Sequence, residues 1–329
     1  MLCYPSSILV WRRKPGMGAH SSNINEERVN VIADLLSKLG FNGIARFDKF
    51  EPEYRVLKIL YERGVKPPYL GLIAVCAGVI DYQLKAGGSD KFWATLLEVA
   101  RSYHDLNSVS QVEKLMEEFL SKEINSIKRD DKSSRIKKIF ESGLASKIVE
   151  NYDEIKKKPG IIWEKLASVL SKTGKESVIR SKMREKTIVF AMKAFDISHF
   201  ICFGNYVELP EDIYIPVDFH VKQVTISAGL LKEYGSDDEF REAWRMVHEK
   251  VRGKIRGNIN LLRLDSIVWQ IGKIMYKNAY DRDLSVMEIT DYLSGCIGVG
   301  RELAEKLAQE LTRFIKKAKE YSENNKGRR

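Results

Sequence analysis

Arg184-Glu185-Lys186-Thr187-Ile188-Val189-Phe190 opens the run that decides the fold, and Ile215-Pro216-Val217-Asp218-Phe219-His220 is its partner. After Lys186 the apolar residues Ile188, Val189, Met192 and Phe195 recur at helical spacing, which predicts a largely buried helix with Lys186 projecting from its first turn. Pro216 stops any preceding helix, and Asp218 stands ahead of Val221, Val224 and Ile226, so it reads as the N-cap or first-turn residue of the next helix. Taken alone, such a lysine is ordinarily a surface charge and such an aspartate a plain cap.

The same period recurs on both sides of this pair. Val29, Ile32, Ala33, Leu35, Leu36 and Leu39 form a helix from Glu26 that Gly40 closes. Glu51-Pro52-Glu53-Tyr54-Arg55 puts proline at a helical N1 position ahead of Val56, Leu57, Ile59 and Leu60. Leu70 to Leu84 is apolar on most faces, as a central core helix would be, and Phe92-Trp93 opens another helix. Further helices are predicted over Val112 to Leu120, Ile162 to Leu170, Asp218 to about Leu231, Glu239 to Val251, Asn260 to Met275, and from Leu303 to Phe314. Ile213-Tyr214-Ile215 is the one short strand candidate, so the fold class is all-α. Among aliphatic neighbours, Trp93 and Trp269 read singly as core residues.

Charge and composition narrow the partners. Lys and Arg number 55 against 45 Asp and Glu, a formal net charge of +10. That balance suits a polyanion, although Lys/Glu-rich surfaces are also a thermophile trait. The basic run between Ser121 and Lys138, turn-like from Asn125 to Ser134, reads first as a solvated face. A helix ending near Gly174, a turn, and a second stretch rich in Lys and Arg make a hairpin suited to a nucleic-acid backbone, with Lys175, Lys182 and Arg184 as its candidate contacts. The glycines of Gly295 to Gly300 would admit a phosphate to a helix N-terminus or simply make a tight turn. Cysteines 3, 76, 202 and 296 are few and widely spaced, which argues against disulfides, zinc modules and iron–sulfur clusters and for a reducing cytoplasm. The apolar patch Ile8 to Trp11 is too short for a signal sequence, Met17 is an alternative start, and no window approaches the ~20 apolar residues of a membrane span.

Five segments, taken in order, resemble the archaeal 8-oxoguanine DNA glycosylases, the archaeal GO glycosylase branch of the helix-hairpin-helix glycosylase superfamily. They are Glu51 to Arg55, Phe92-Trp93, Arg184 to Phe190, Ile213 to Val221, and Leu264-Asp265-Ser266-Ile267-Val268-Trp269. The resemblance covers roughly Glu26 to Met275. It implies a two-lobed helix-hairpin-helix architecture with the active site in the cleft between lobes. Lys186 would be the nucleophile and Asp218 its carboxylate partner. Phe190 and Trp269 would sandwich a flipped base, with Trp93, Asp265 and Glu53 lining the pocket. The expected reaction is 8-oxoguanine excision with β-lyase strand cleavage, without metal or organic cofactor, by a monomer acting on DNA and not on membranes. Three features depart from the pattern: Glu53 stands where glutamine is expected, the Lys175 to Arg184 lead-in is long, and the chain continues well past Met275. Expected boundaries are a loose extension over 1–25, a two-lobed core over 26–280, and a helical extension with a frayed basic tail over 281–329.

The chemistry sets requirements. A base inside a duplex must be extruded before its glycosidic bond can be reached, and aromatic faces recover part of the unstacking cost. Phe190 follows Lys186 by four residues, so ring and amine share a helix face. Attack at C1′ needs a neutral amine, against an ordinary lysine pKa of about 10.4. Burial and the neighbouring charges of Lys182 and Arg184 are expected to lower it. Asp218 would stabilise oxocarbenium-like charge. An ionised Glu53 would be acceptor-only, taking N1–H and N2–H of the base, and Glu53→Gln is expected to retain activity. The competing reading is a non-catalytic helical nucleic-acid-binding protein on the same fold.

Overall fold

The computed structural model describes residues 23–324. The sequence expectations for Ile8 to Trp11, Met17 and the last basic residues, Lys326, Arg328 and Arg329, lie outside the described residues. In chain order the first helices are α1 (Glu26–Ser37), α2 (Gly40–Asp48), α3 (Pro52–Glu62), α4 (Pro67–Ile80), α5 (Gly88–Ala100) and α6 (Val109–Ser121). Next come α7 (Arg129–Glu141), α8 (Leu144–Glu150), α9 (Tyr152–Ile155), α10 (Gly160–Leu170), α11 (Glu176–Met183) and α12 (Lys186–Phe203). The chain finishes with α13 (Phe219–Ser227), α14 (Asp237–Arg252), α15 (Leu261–Lys277), α16 (Arg282–Asp291), α17 (Arg301–Leu311) and α18 (Ile315–Asn324). Among the described residues the β-structure is one isolated bridge, between Ile24 and Leu231.

These helices bury two hydrophobic clusters, and the clusters define two lobes. One runs from Val56 to Ile213 and is built around α4 and α12, with Leu262 joining it from α15. The other brings the N-terminal α1 and α2 together with α13 to α18. Helix α4 starts on Pro67 and Pro68, which favour a first helical turn, and is buried from Leu70 to Ile80. It meets α12 at van der Waals limit. A Cβ on Gly78 would lie 2.5 Å from the Cα of Ala191, so no side chain fits there and the start of α12 is fixed by that approach.

The predicted strand at Ile213 to Ile215 is not formed. The segment is loop, Ile213 buried in the first cluster and Ile215 in the second, so its apolar alternation marks a crossing between two cores. The turn expected across Asn125 to Ser134 gives way to α7 at Arg129, because Ile136 and Ile139 supply an apolar stripe. Lys132 on that helix is wholly buried, its ammonium 5.4 Å from the centre of the Tyr82 ring. At the chain's end, α18 continues through Asn324 with Ile315 and Ala318 buried, so the tail is not frayed to that point. Residues 23–25 are likewise held, by Asn25 N–H donating to the Leu230 carbonyl at 2.9 Å and Lys232 N–H to that of Asn23 at 2.8 Å. No helix among the described residues is long and apolar enough to cross a membrane.

Candidate active site

Lys186 is the first residue of α12, in the first lobe, and Asp218 is the N-cap of α13, in the second. Asp218 divides its two oxygens between two tasks. Oδ1 accepts the Val221 backbone N–H at 2.9 Å, which caps the helix, while Oδ2 stands 3.4 Å from Lys186 Nζ. The lysine side chain is 46% exposed and the aspartate 14%, so the lysine is the more open member of the pair.

Electrostatics around the lysine differ from the expectation. Burial disfavours the ammonium, but the carboxylates of Asp218, Asp81 and Asp265 outweigh it and raise the Lys186 pKa above the ordinary value. Lys182 and Arg184 do not supply the opposing field, because Lys182 pairs with Glu185 at 2.8 Å and Arg184 with Asp238 at 3.6 Å. The Asp218 carboxyl is pushed up by burial and pulled further down by Lys186, His220 and the Val221 N–H, ending below the usual range.

One and two turns along the same face of α12 stand Phe190 and Lys193. Lys193 is a buried ammonium that the sequence reading passed over. Its Nζ lies 2.8 Å from Asp265 Oδ2, 3.5 Å from Glu51 Oε1 and 3.7 Å from Glu53 Oε1, and 5.8 Å from the centre of the Phe190 ring. All four charged side chains are at most 5% exposed. Burial works against the Lys193 charge, yet Asp265, Glu51 and Glu53 raise its pKa. Burial also raises Glu53, which Lys193 only partly offsets, to about 7, and it raises Glu51 and Asp265. Neither carboxyl oxygen of Glu53 has a hydrogen-bond partner among the described residues.

The aromatic candidates frame this cluster. Trp93 is wholly buried, its indole N–H donating at 3.0 Å to Asp81, which also accepts from Ser89 Oγ at 2.7 Å. Trp269 is half-buried one turn beyond Asp265 on α15, with the Lys273 ammonium 4.3 Å from its ring centre. His220 packs edge-on against Trp269 at 6.1 Å, and a Cβ on Gly272 would lie 2.7 Å from its own Cβ, so the start of α13 is held close against the second half of α15. Behind them Arg263, wholly buried, bridges Asp48 at 2.6 Å and Asp196 at 3.3 Å, which ties α2, α12 and α15 together.

The structure therefore brings together Lys186 with Asp218, and Glu53 with Asp265 beside Phe190. Trp93 joins through Asp81, and Trp269 through Asp265. Helix α11, the second arm of the basic hairpin, buries none of its residues, and Lys175 at its start is exposed. Of the Gly295 to Gly300 segment, Gly295 to Ile297 belong to the π-helical turn Tyr292–Ile297, whose Ile297 carbonyl accepts from Arg46 at 2.7 Å, and Gly298 to Gly300 lead into α17. A charged residue in the apolar run Phe190 to Ser198 was the available sign of Lys193.

Comparison with known proteins bears on this arrangement. The solved 8-oxoguanosine complex of Pa-AGOG, the 8-oxoguanine DNA glycosylase from Pyrobaculum aerophilum, has the same fold, with a TM-score of 0.59 at 18% identity over 86% of this chain and 97% of that one. The N-glycosylase/DNA lyase of Pyrobaculum aerophilum is 23% identical over 276 residues, 82% of this chain and 97% of the relative. The Thermococcus kodakarensis N-glycosylase/DNA lyase is 25% identical over 75% of this chain and 85% of its own, and that of Methanococcus maripaludis 24% identical over 75% and 88%. Residues 33–302 match the sequence pattern of one family throughout, and the chain belongs to that family, the AGOG N-glycosylase/DNA lyases.

Proposed function

We propose that the protein excises 8-oxoguanine from DNA through Lys186 and Asp218 and then cleaves the strand at the resulting site. The observation that carries the reading is the amine of one lobe standing 3.4 Å from the carboxylate of the other, the amine being on the helix that also carries Phe190 and Lys193, the latter in its buried pair with Asp265. A flipped base enters between Phe190 and Trp269, with Glu53, Asp265 and Lys193 facing its polar edge and Trp93 backing the pocket. Lys186 starts as an ammonium and gives up a proton before it attacks. A bond then forms from Nζ to C1′ as the bond from C1′ to N9 breaks, and the departing base takes up a proton. Asp218, held ionised, balances the positive charge that develops on the sugar. Ring opening yields a Schiff base, loss of a C2′ proton expels the 3′ phosphate, and hydrolysis frees the lysine.

Lys175, exposed at the tip of the hairpin, is the proposed backbone contact. Lys182 and Arg184 reach a phosphate by exchanging it for Glu185 and Asp238. The enzyme acts as a monomer on cytoplasmic DNA, since one chain completes the catalytic pair. Borohydride trapping tests the assignment. An 8-oxoguanine duplex should become covalently attached to the wild-type protein and not to Lys186→Gln. Failure to trap with wild type, or undiminished trapping by the variant, overturns the role of Lys186 and favours a binding protein on the same fold.

A further inference from the structure

The charges around Glu53 do not balance. It faces Lys193 of α12, Glu51 at the start of α3 and Asp265 of α15, while Asp81 at the end of α4 adds its field. Asp265 is nearest to Lys193, at 2.8 Å, and the two buried glutamates, at 3.5 and 3.7 Å, share that same single ammonium. Glu51 accepts a hydrogen bond from Gln270 Nε2 at 3.1 Å, whereas Glu53 accepts none. A wholly buried carboxylate that no other side chain hydrogen-bonds and that shares its one cation with two other carboxylates is costly to keep ionised, and taking up a proton removes that cost.

Resting on the reading of Glu53 as a base-facing residue, we infer that Glu53 reads the lesion as a neutral carboxylic acid, a donor and an acceptor side by side, and that its ionisation weakens lesion recognition. Guanine-type bases present the O6 acceptor beside the N1–H donor. The protonated acid meets both, its O–H donating to O6 and its carbonyl accepting N1–H, as a glutamine amide would. The carboxylate has no hydrogen to give and sets a lone pair against O6. Burial, which places the change near pH 7, brings this switch into the working range. On this proposal Glu53 imitates the glutamine, where the sequence reading expected an acceptor-only carboxylate.

The test measures the preference for a duplex carrying 8-oxoguanine on a 2′-fluorinated, cleavage-resistant sugar over the same duplex carrying an abasic analogue, which lacks O6 and N1–H, from pH 5.5 to about 8. Wild type should lose preference by roughly tenfold per pH unit above neutrality, as one lost proton requires, while Glu53→Gln stays flat. Parallel losses in both proteins overturn the neutral acid, and borohydride trapping through Lys186 then stands unaffected. If Glu53→Leu keeps the wild-type preference at every pH, Glu53 does not face the base and the reading beneath the proposal falls. Urea titrations of the free proteins give an independent readout. With its folded pKa raised above 4.5, Glu53 contributes stability that is present below 4.5 and lost as pH rises through about 7. That loss should be smaller in Glu53→Gln, and equal pH slopes overturn the proposal.

Discussion

At the scale of single residues, Lys186 and Asp218 pull the reaction in two directions. The carboxylate holds the proton on the amine, and in the proposed mechanism the same carboxylate stabilises the positive charge that develops on the sugar as the base departs. Asp218→Asn separates the two effects, because asparagine caps α13 as well as aspartate does. The amine becomes easier to deprotonate, yet single-turnover excision is expected to fall by about 10²–10³-fold with little change in stability. A faster rate would show that deprotonation, and not charge on the sugar, limits the reaction. The pairing of the two residues was implied in sequence only by the family resemblance, but their helical positions were legible there because a proline, a cap and a periodic run are local signals. The field around Lys186 was not, because Lys182 and Arg184 lie near it in sequence but turn toward Glu185 and Asp238. Lys193 was hidden for a related reason. Its charge stands in plain view, but the partners that make it meaningful come from the start of α3 and from α15, distances that no periodicity spans.

At the scale of elements, the site depends on how closely α12 lies against α4. Gly78→Ala places a methyl against the α12 backbone at Ala191. The expected cost is about 1–3 kcal/mol, read from the midpoint of chemical denaturation, with slower excision because the helix that carries Lys186, Phe190 and Lys193 must shift. An unchanged midpoint would mean that the two helices separate freely. Long amphipathic or wholly apolar helices such as α4, α12 and α15 could be drawn from sequence because their burial pattern is one-dimensional. The crossing at Ile213 to Ile215 could not, since its two isoleucines serve different cores and so imitate the alternation of a strand. Helix α7 was obscured by its charges, several of which lie over a hidden apolar stripe.

At the scale of the molecule, the first and last of the described helices, α1 and α18, lie in the same lobe. Arg28 on α1 pairs with Glu310 on α17 and donates from Nε to the Ala228 carbonyl at 2.9 Å. The Phe314 N–H donates to the Ser227 carbonyl at 2.8 Å, joining the entry to α18 to the end of α13. A chain stopped after Tyr280 keeps every proposed catalytic and pocket residue but loses Ile289, Leu293, Leu307, Leu311 and Ile315 from the second core. It should show no borohydride-trapped complex and reduced helical circular dichroism. Trapping at the wild-type level would mean that the last three helices do not support the site.

The interleaving of the lobes also bears on translation. As the ribosome delivers the chain, α3 to α12 can settle while α1 and α2 still lack the helices that cover them. Lys186 is then already in place, but Asp218 sits on a helix whose neighbours α15 and α18 have yet to emerge. On the proposed assignment, the centre would be completed only once α15 and α18 have packed against α13, so a prematurely terminated polypeptide would carry Lys186 and Asp218 without the scaffold that pairs them.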